Sequence, residues 1–115
     1  MKVVTIQEKI SRWVETQRDN YLRDVSRLVA IRSVGSEGKE GMPFGEGPAA
    51  ALAEAWKIAG EQGFLTKDYD GYVMIADLLD GERALDILAH LDVVGEGEGW
   101  DTDPYTAVEK DGCLY

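Results

Sequence analysis

His90, Leu91 and Asp92 set an imidazole two residues ahead of a carboxylate. His90 is the single histidine of the chain. It closes an apolar run, Ala84-Leu85-Asp86-Ile87-Leu88-Ala89, and an acidic glycine-rich loop follows, Gly95-Glu96-Gly97-Glu98-Gly99-Trp100. A neutral imidazole is a good zinc ligand, and a carboxylate beside it fixes its tautomer and raises its basicity. Taken singly, each residue has a plainer use. A strand-end histidine is more often packed or exposed than ligating, and an aspartate there usually caps a turn. Together they supply both a ligand and its orienting partner.

Other chemistries fit less well. Phosphate cradles use bare backbone amides, usually with a lysine, and Glu96 and Glu98 would repel phosphate. Asp101-Thr102-Asp103-Pro104 offers two carboxylates to a divalent cation, but Asp before Pro is ordinary turn chemistry. Asp68-Tyr69-Asp70-Gly71 lacks the ligand spacing and terminal glutamate of a calcium loop, and is read as a turn. Cys113 is the lone cysteine, with only His90 to serve it as a base. It has no internal disulfide partner, which points to a reducing cytoplasm.

The elements that must position His90 follow from periodicity. Thr5 and Glu8 have capping-box spacing. From Ile6 to Val29 apolar residues recur at three- and four-residue steps, which predicts one amphipathic helix from Thr5 to about Ile31 with Trp13 and Tyr21 in its core stripe. Ser33 to Pro48 is glycine- and proline-rich and reads as a loop, with Met42-Pro43-Phe44 as an apolar anchor. A second helix is expected from about Pro48 to Gln62, closed by Gly63. Phe64 to Asp68 and Tyr72 to Leu79 read as strands, and Asp80-Gly81-Glu82-Arg83 as a tight connection. Leu85 to Ala89 reads as a buried strand that would put His90 at its carboxyl end, where ligands bind in open α/β sheets. Tyr105–Val108 and Cys113–Tyr115 read as short strands around Asp111-Gly112. The class is α/β: two helices, then several strands, in one domain.

The 115 residues suffice for a modest core, and 44% hydrophobic residues favour a folded chain over disorder. With 22 acidic against 12 basic side chains the net charge is -10, which disfavours nucleic acid and anionic membrane surfaces as partners. The first five residues turn polar too soon for a signal peptide, and no apolar run approaches transmembrane length.

Leu88-Ala89-His90-Leu91-Asp92-Val93-Val94, then Gly99-Trp100, Asp103-Pro104-Tyr105 and Asp111-Gly112-Cys113-Leu114-Tyr115 resemble a signature of the zinc aminoacylase and dipeptidase family. Leu28-Val29-Ala30-Ile31-Arg32-Ser33-Val34, Met42-Pro43-Phe44-Gly45 and Gly63-Phe64 resemble the opening of its PepV-type Xaa-His dipeptidases. The resemblance covers nearly the whole chain, with Gly95 where the family often has proline. It implies that residues 1–115 are the N-terminal portion of a single metallopeptidase catalytic domain, a mixed α/β zinc-peptidase fold cut short. It implies two zinc ions, with His90 as the first ligand and Asp92 as the carboxylate behind it. A bridging aspartate, the remaining ligands and a glutamate base would come later in the chain, so the piece alone would be inactive. The substrate would be a short peptide and the reaction hydrolysis of its amide bond. An N-acyl amino-acid deacylase uses the same metal chemistry and is the nearer alternative. A catalytically dead short paralogue acting as an interaction module is the other.

Overall fold

The computed structural model describes residues 3–82 and 84–115. Met1, Lys2 and Arg83 lie outside them, and with Arg83 the last residue of the expected 80–83 connection.

Three helices precede two small hairpins, an α/β mix as the sequence predicts. Helix α1 (Ile6–Thr16) starts on the expected capping box. Thr5 Oγ1 accepts from the Glu8 amide at 3.1 Å, and the Glu8 carboxylate accepts from the Thr5 amide at 2.8 Å. The expected single helix is in fact two, because α2 (Arg18–Val29) begins after a break at Gln17. The Gln17 amide bonds the Val14 carbonyl three residues back, and Thr16 Oγ1 turns back onto the Trp13 carbonyl at 2.6 Å. The break falls in the polar stretch between Val14 and Tyr21, which offers no apolar side chain, and the Thr16 hydroxyl competes there for a backbone carbonyl.

Helix α3 (Glu46–Glu61) starts two residues earlier than expected, with Pro48 as its third residue. Its end fits the expectation. Gly63 takes φ +83, its amide bonds the Gly60 carbonyl, and the Phe64 amide bonds that of Ala59, a Schellman closure. Arg27 of α2 ties the two helices together through Glu54 and Glu61, both at 2.6 Å.

Strands β1 (Leu65–Tyr69) and β2 (Val73–Asp77) pair antiparallel across a turn in which Asp70 and Gly71 have positive φ. β3 (Glu109–Lys110) and β4 (Cys113–Leu114) do the same around Asp111 and Gly112, the pair of left-handed residues a type I′ turn needs. Val108 and Tyr115 extend that ladder with two mutual bonds of 2.9 Å. The Phe44 ring stands edge-on to Tyr72 at 5.5 Å, so the expected apolar anchor of the 33–48 loop is present and rests on the first hairpin.

The run from Leu85 to Ala89 differs from expectation. It forms no strand, and Leu85, Ile87 and Leu88 are 79%, 85% and 93% exposed. A strand needs a ladder partner, and among the described residues both sheets stop at two strands. The predicted core stripe of α1 is exposed too, at Ile6, Ile10, Trp13 and Val14. Among the described residues the buried side chains are those of Ala51 and Ser33. The accessible surface is 9425 Å², against about 6,200 Å² for a folded monomer of this mass. The radius of gyration is 17.3 Å, against about 13 Å for a compact domain of this length.

At Ser33 distant segments meet closely. Val34 and Val93 form a parallel bridge, and the first turn of α3 presses on the other side. A Cβ on Gly47 would lie 2.5 Å from the Arg32 carbonyl oxygen and 3.2 Å from Ser33 Cα. Gly47→Ala should therefore cost about 1–3 kcal/mol through overpacking. Thermal and urea melts against wild type check this, and an unchanged midpoint would show that α3 does not hold the 32–34 segment.

Candidate functional site

His90 sits on an extended stretch held at its far end. The Ser33 hydroxyl donates to the Leu91 carbonyl at 2.7 Å, and the Val93 amide donates to the Ser33 carbonyl at 3.2 Å. Asp92 lies between these two bonds. The His90 imidazole turns towards Asp92, as the two-residue spacing anticipates, but the nearer contact is with the backbone. Nδ1 lies 2.9 Å from the Asp92 carbonyl oxygen and 3.5 Å from Oδ1 of its carboxylate. Both neighbours are acceptors, so Nδ1 carries the proton and donates it, which leaves the Nε2 lone pair free. The two side chains are 84% and 67% exposed. His90 is not at the end of a central strand, since residues 85–89 have no ladder.

The pair stands beside a largely apolar groove of about 590 Å³, lined by Leu52 and Ala55 of α3, Val73 and Met74 of β2, and Ile87 and Ala89. Among the described residues no three His, Cys, Asp or Glu side chains come together to hold a metal ion. His90 fits one corner of a zinc site: a neutral imidazole with one nitrogen bonded and the other open. The other corners are not filled by these residues.

The glycine-rich loop, read from the sequence as a solvated turn, has one fixed member. The Glu96 carboxylate accepts from Arg32, Nη2 at 3.0 Å, and from the Tyr105 hydroxyl at 2.7 Å. Its carbonyl accepts from Trp100 Nε1 at 2.7 Å. Nothing local in the sequence marks this cluster, because Arg32 is 64 residues away. The Glu96 carboxyl is held down at about 2, by its own backbone N–H first, then by Tyr105 and Arg32. Arg32 is raised in turn, chiefly by the bond to Glu96, and Tyr105 is raised by desolvation and by Glu96. Asp103 accepts from the Tyr105 amide at 2.8 Å, so the Asp-Pro turn is as expected and carries Tyr105 to the cluster. Asp68 likewise accepts from the Gly71 amide at 3.2 Å, the turn expected there. Cys113 is free and exposed.

No protein-family model matches the chain. It is 34% identical over 101 residues to "Putative dipeptidase YtjP" of Bacillus subtilis (strain 168), covering 86% of this chain and 22% of that protein. It is 38% identical over 103 residues to a "Putative dipeptidase" of Staphylococcus aureus (strain USA300), covering 88% of this chain and 22% of that one. The chain thus spans about a fifth of the length of these relatives. Their names support a dipeptidase family.

Glu96 gives the site's frame an acid limit. Its folded value of about 2 lies below the usual carboxylate value of about 4.3, so its stabilising contribution is present above about 4.3 and lost as pH falls towards 2. Melting temperature followed from neutral pH downward should fall in that window, and Glu96→Gln should flatten that part of the curve. An identical profile in the variant would show that the Arg32–Glu96–Tyr105 contacts do not hold in solution.

Proposed function

We propose that the chain is the N-terminal part of the catalytic domain of a zinc-dependent dipeptidase of the zinc aminoacylase and dipeptidase family. The whole enzyme would hydrolyse the amide bond of dipeptides or other short peptides. The observation that carries the reading is the His90–Asp92 pair, a histidine whose Nδ1 is bonded and whose Nε2 is open, in a chain whose relatives are named as dipeptidases. Those names favour a dipeptidase over a deacylase. The exposed run 85–89, the two-stranded sheets and the excess surface support a domain completed by further chain.

The chemistry that two zinc ions supply in such a site is polarisation of the scissile carbonyl and activation of water at neutral pH. His90 Nε2 would be one ligand. Asp92 would hold the Nδ1 proton, fixing the tautomer and making Nε2 a better donor. The bridging aspartate, the other ligands and the glutamate that takes the proton would come from beyond these residues. No nucleic acid or membrane partner is proposed, in keeping with the charge of -10. Among the described residues no helix is long and apolar enough to cross a membrane. The lone free Cys113 supports a cytoplasmic setting.

Residues 1–115 alone should show no dipeptidase activity and no tight stoichiometric zinc site by calorimetry, since stable catalytic zinc needs about three protein ligands. Submicromolar binding lost in His90→Ala would mean that local ligands complete the site.

In the whole enzyme His90→Ala should abolish hydrolysis and strip zinc. Asp92→Asn should cost about tenfold in zinc affinity or rate, the low end of the usual range for a residue behind a ligand, because the nearer carbonyl contact survives the substitution. Chelator competition and peptide hydrolysis rates measure both. Full zinc affinity and rate in His90→Ala would sink the metallopeptidase reading.

A further inference from the structure

We infer that Ser33 is a positioning residue for the candidate ligand His90, acting through the two peptide groups that flank Asp92, the first held by its hydroxyl and the second by its carbonyl. The inference rests on the zinc reading above for its consequence, but not for its geometry. A trans peptide is planar, with its N–H and C=O pointing in opposite directions. The Val93 N–H of the Asp92–Val93 peptide donates to the Ser33 carbonyl at 3.2 Å. The carbonyl of the same peptide, that of Asp92, therefore points away from Ser33, and there it meets His90 Nδ1 at 2.9 Å. The bond that Ser33 accepts on one side of the plane thus aims the acceptor that fixes the imidazole on the other.

The preceding peptide is fixed as well. The Ser33 hydroxyl donates to the Leu91 carbonyl at 2.7 Å, so one residue holds both peptides that flank Asp92. Ser33 itself has little freedom. It is 3% exposed, the Val34–Val93 bridge lies beside it, and Gly47 of α3 packs against its Cα. Its neighbour Arg32 repeats the attachment downstream through Glu96. Residues 91–96 are therefore bound at three points to one dipeptide, Arg32-Ser33. The effect is to keep His90 in the Nδ1–H tautomer with Nε2 open.

Substitution of Ser33 should change the state of His90 without touching it. The test is made on the whole protein, labelled with nitrogen-15 in its imidazoles, metal-free, at a pH where histidine is neutral. His90 is assigned by its loss in His90→Ala. Wild type should show the Nδ1–H tautomer alone, from the separate shifts of the two ring nitrogens. Ser33→Ala keeps the carbonyl bond to Val93 and loses the hydroxyl bond to Leu91; with the Leu91–Asp92 peptide freed, it should show a mixture of tautomers and about tenfold weaker zinc binding by chelator competition. Ser33→Cys, of similar size but with a weaker donor, should fall between them. This ordering is not expected of a residue that only adds stability, because the tautomer is read in the folded state.

An Nε2–H tautomer in wild type would overturn the inference without any variant, so failure of Ser33→Ala to fold leaves it exposed to refutation. Unchanged tautomer and zinc affinity in Ser33→Cys and Ser33→Ala would overturn it as well. The two readings fail separately. Zinc binding that needs His90 but ignores Ser33 sinks the positioning role alone. A tautomer that follows Ser33 in a protein that binds no zinc upholds the geometry and sinks the zinc reading.

Discussion

The contact between residues 32–34 and 91–93 joins parts of the chain that share no helix or hairpin. Ser33 and Leu91 are 58 residues apart, and closing a loop of that length costs about 3–4 kcal/mol beyond the fixed cost of any closure. The two bonds at Ser33 return about 1 kcal/mol each. They do not close the loop unaided. The remainder comes from what is stacked on them: α3 pressed close at Gly47, the Val34–Val93 bridge, and the Arg32–Glu96–Tyr105 cluster. Each addition attaches at Arg32, Ser33 or Val34, so loss of any one loads the others. This makes the contact a cooperative unit rather than a set of independent bonds.

Around that unit the chain buries little. α2 and α3 are cross-linked by Arg27, and α3 packs on the first hairpin, yet α1 and the run 85–89 keep their apolar side chains in water. The periodicity of α1 and the compactness of the 85–89 run are those of buried elements. Among the described residues nothing covers them. The groove between α3, β2 and residues 87–89 has the same character, with walls that are largely apolar.

Legibility in the sequence followed the range of the interaction. The capping box at Thr5, the Gly63 closure, the two Asp-Gly turns and the Asp103-Pro104 turn all depend on residues within five positions of one another, and all are where the sequence put them. The break at Gln17 is local too, but its signal is a lack of apolar residues rather than a presence. The pattern at 85–89 suggests a strand because it reports burial and cannot report whether a partner is at hand. At the site, the approach of His90 to Asp92 was readable from a two-residue spacing. The carbonyl as the nearer partner was not, because that geometry is set by a residue far upstream. The anchoring of Glu96 is not legible for the same reason: its partners Arg32 and Tyr105 lie 64 and nine residues away.

A ligand and its acceptor two residues apart can arise on any exposed turn. Holding the peptide behind them needs a second segment with a small donor at one position, and a glycine where the helix crosses it. Ser33 and Gly47 meet those two needs here, and neither touches the imidazole. The chemistry assigned to one histidine is in this way distributed over three segments, the end of α2, the start of α3 and the stretch after His90, which only the fold brings together.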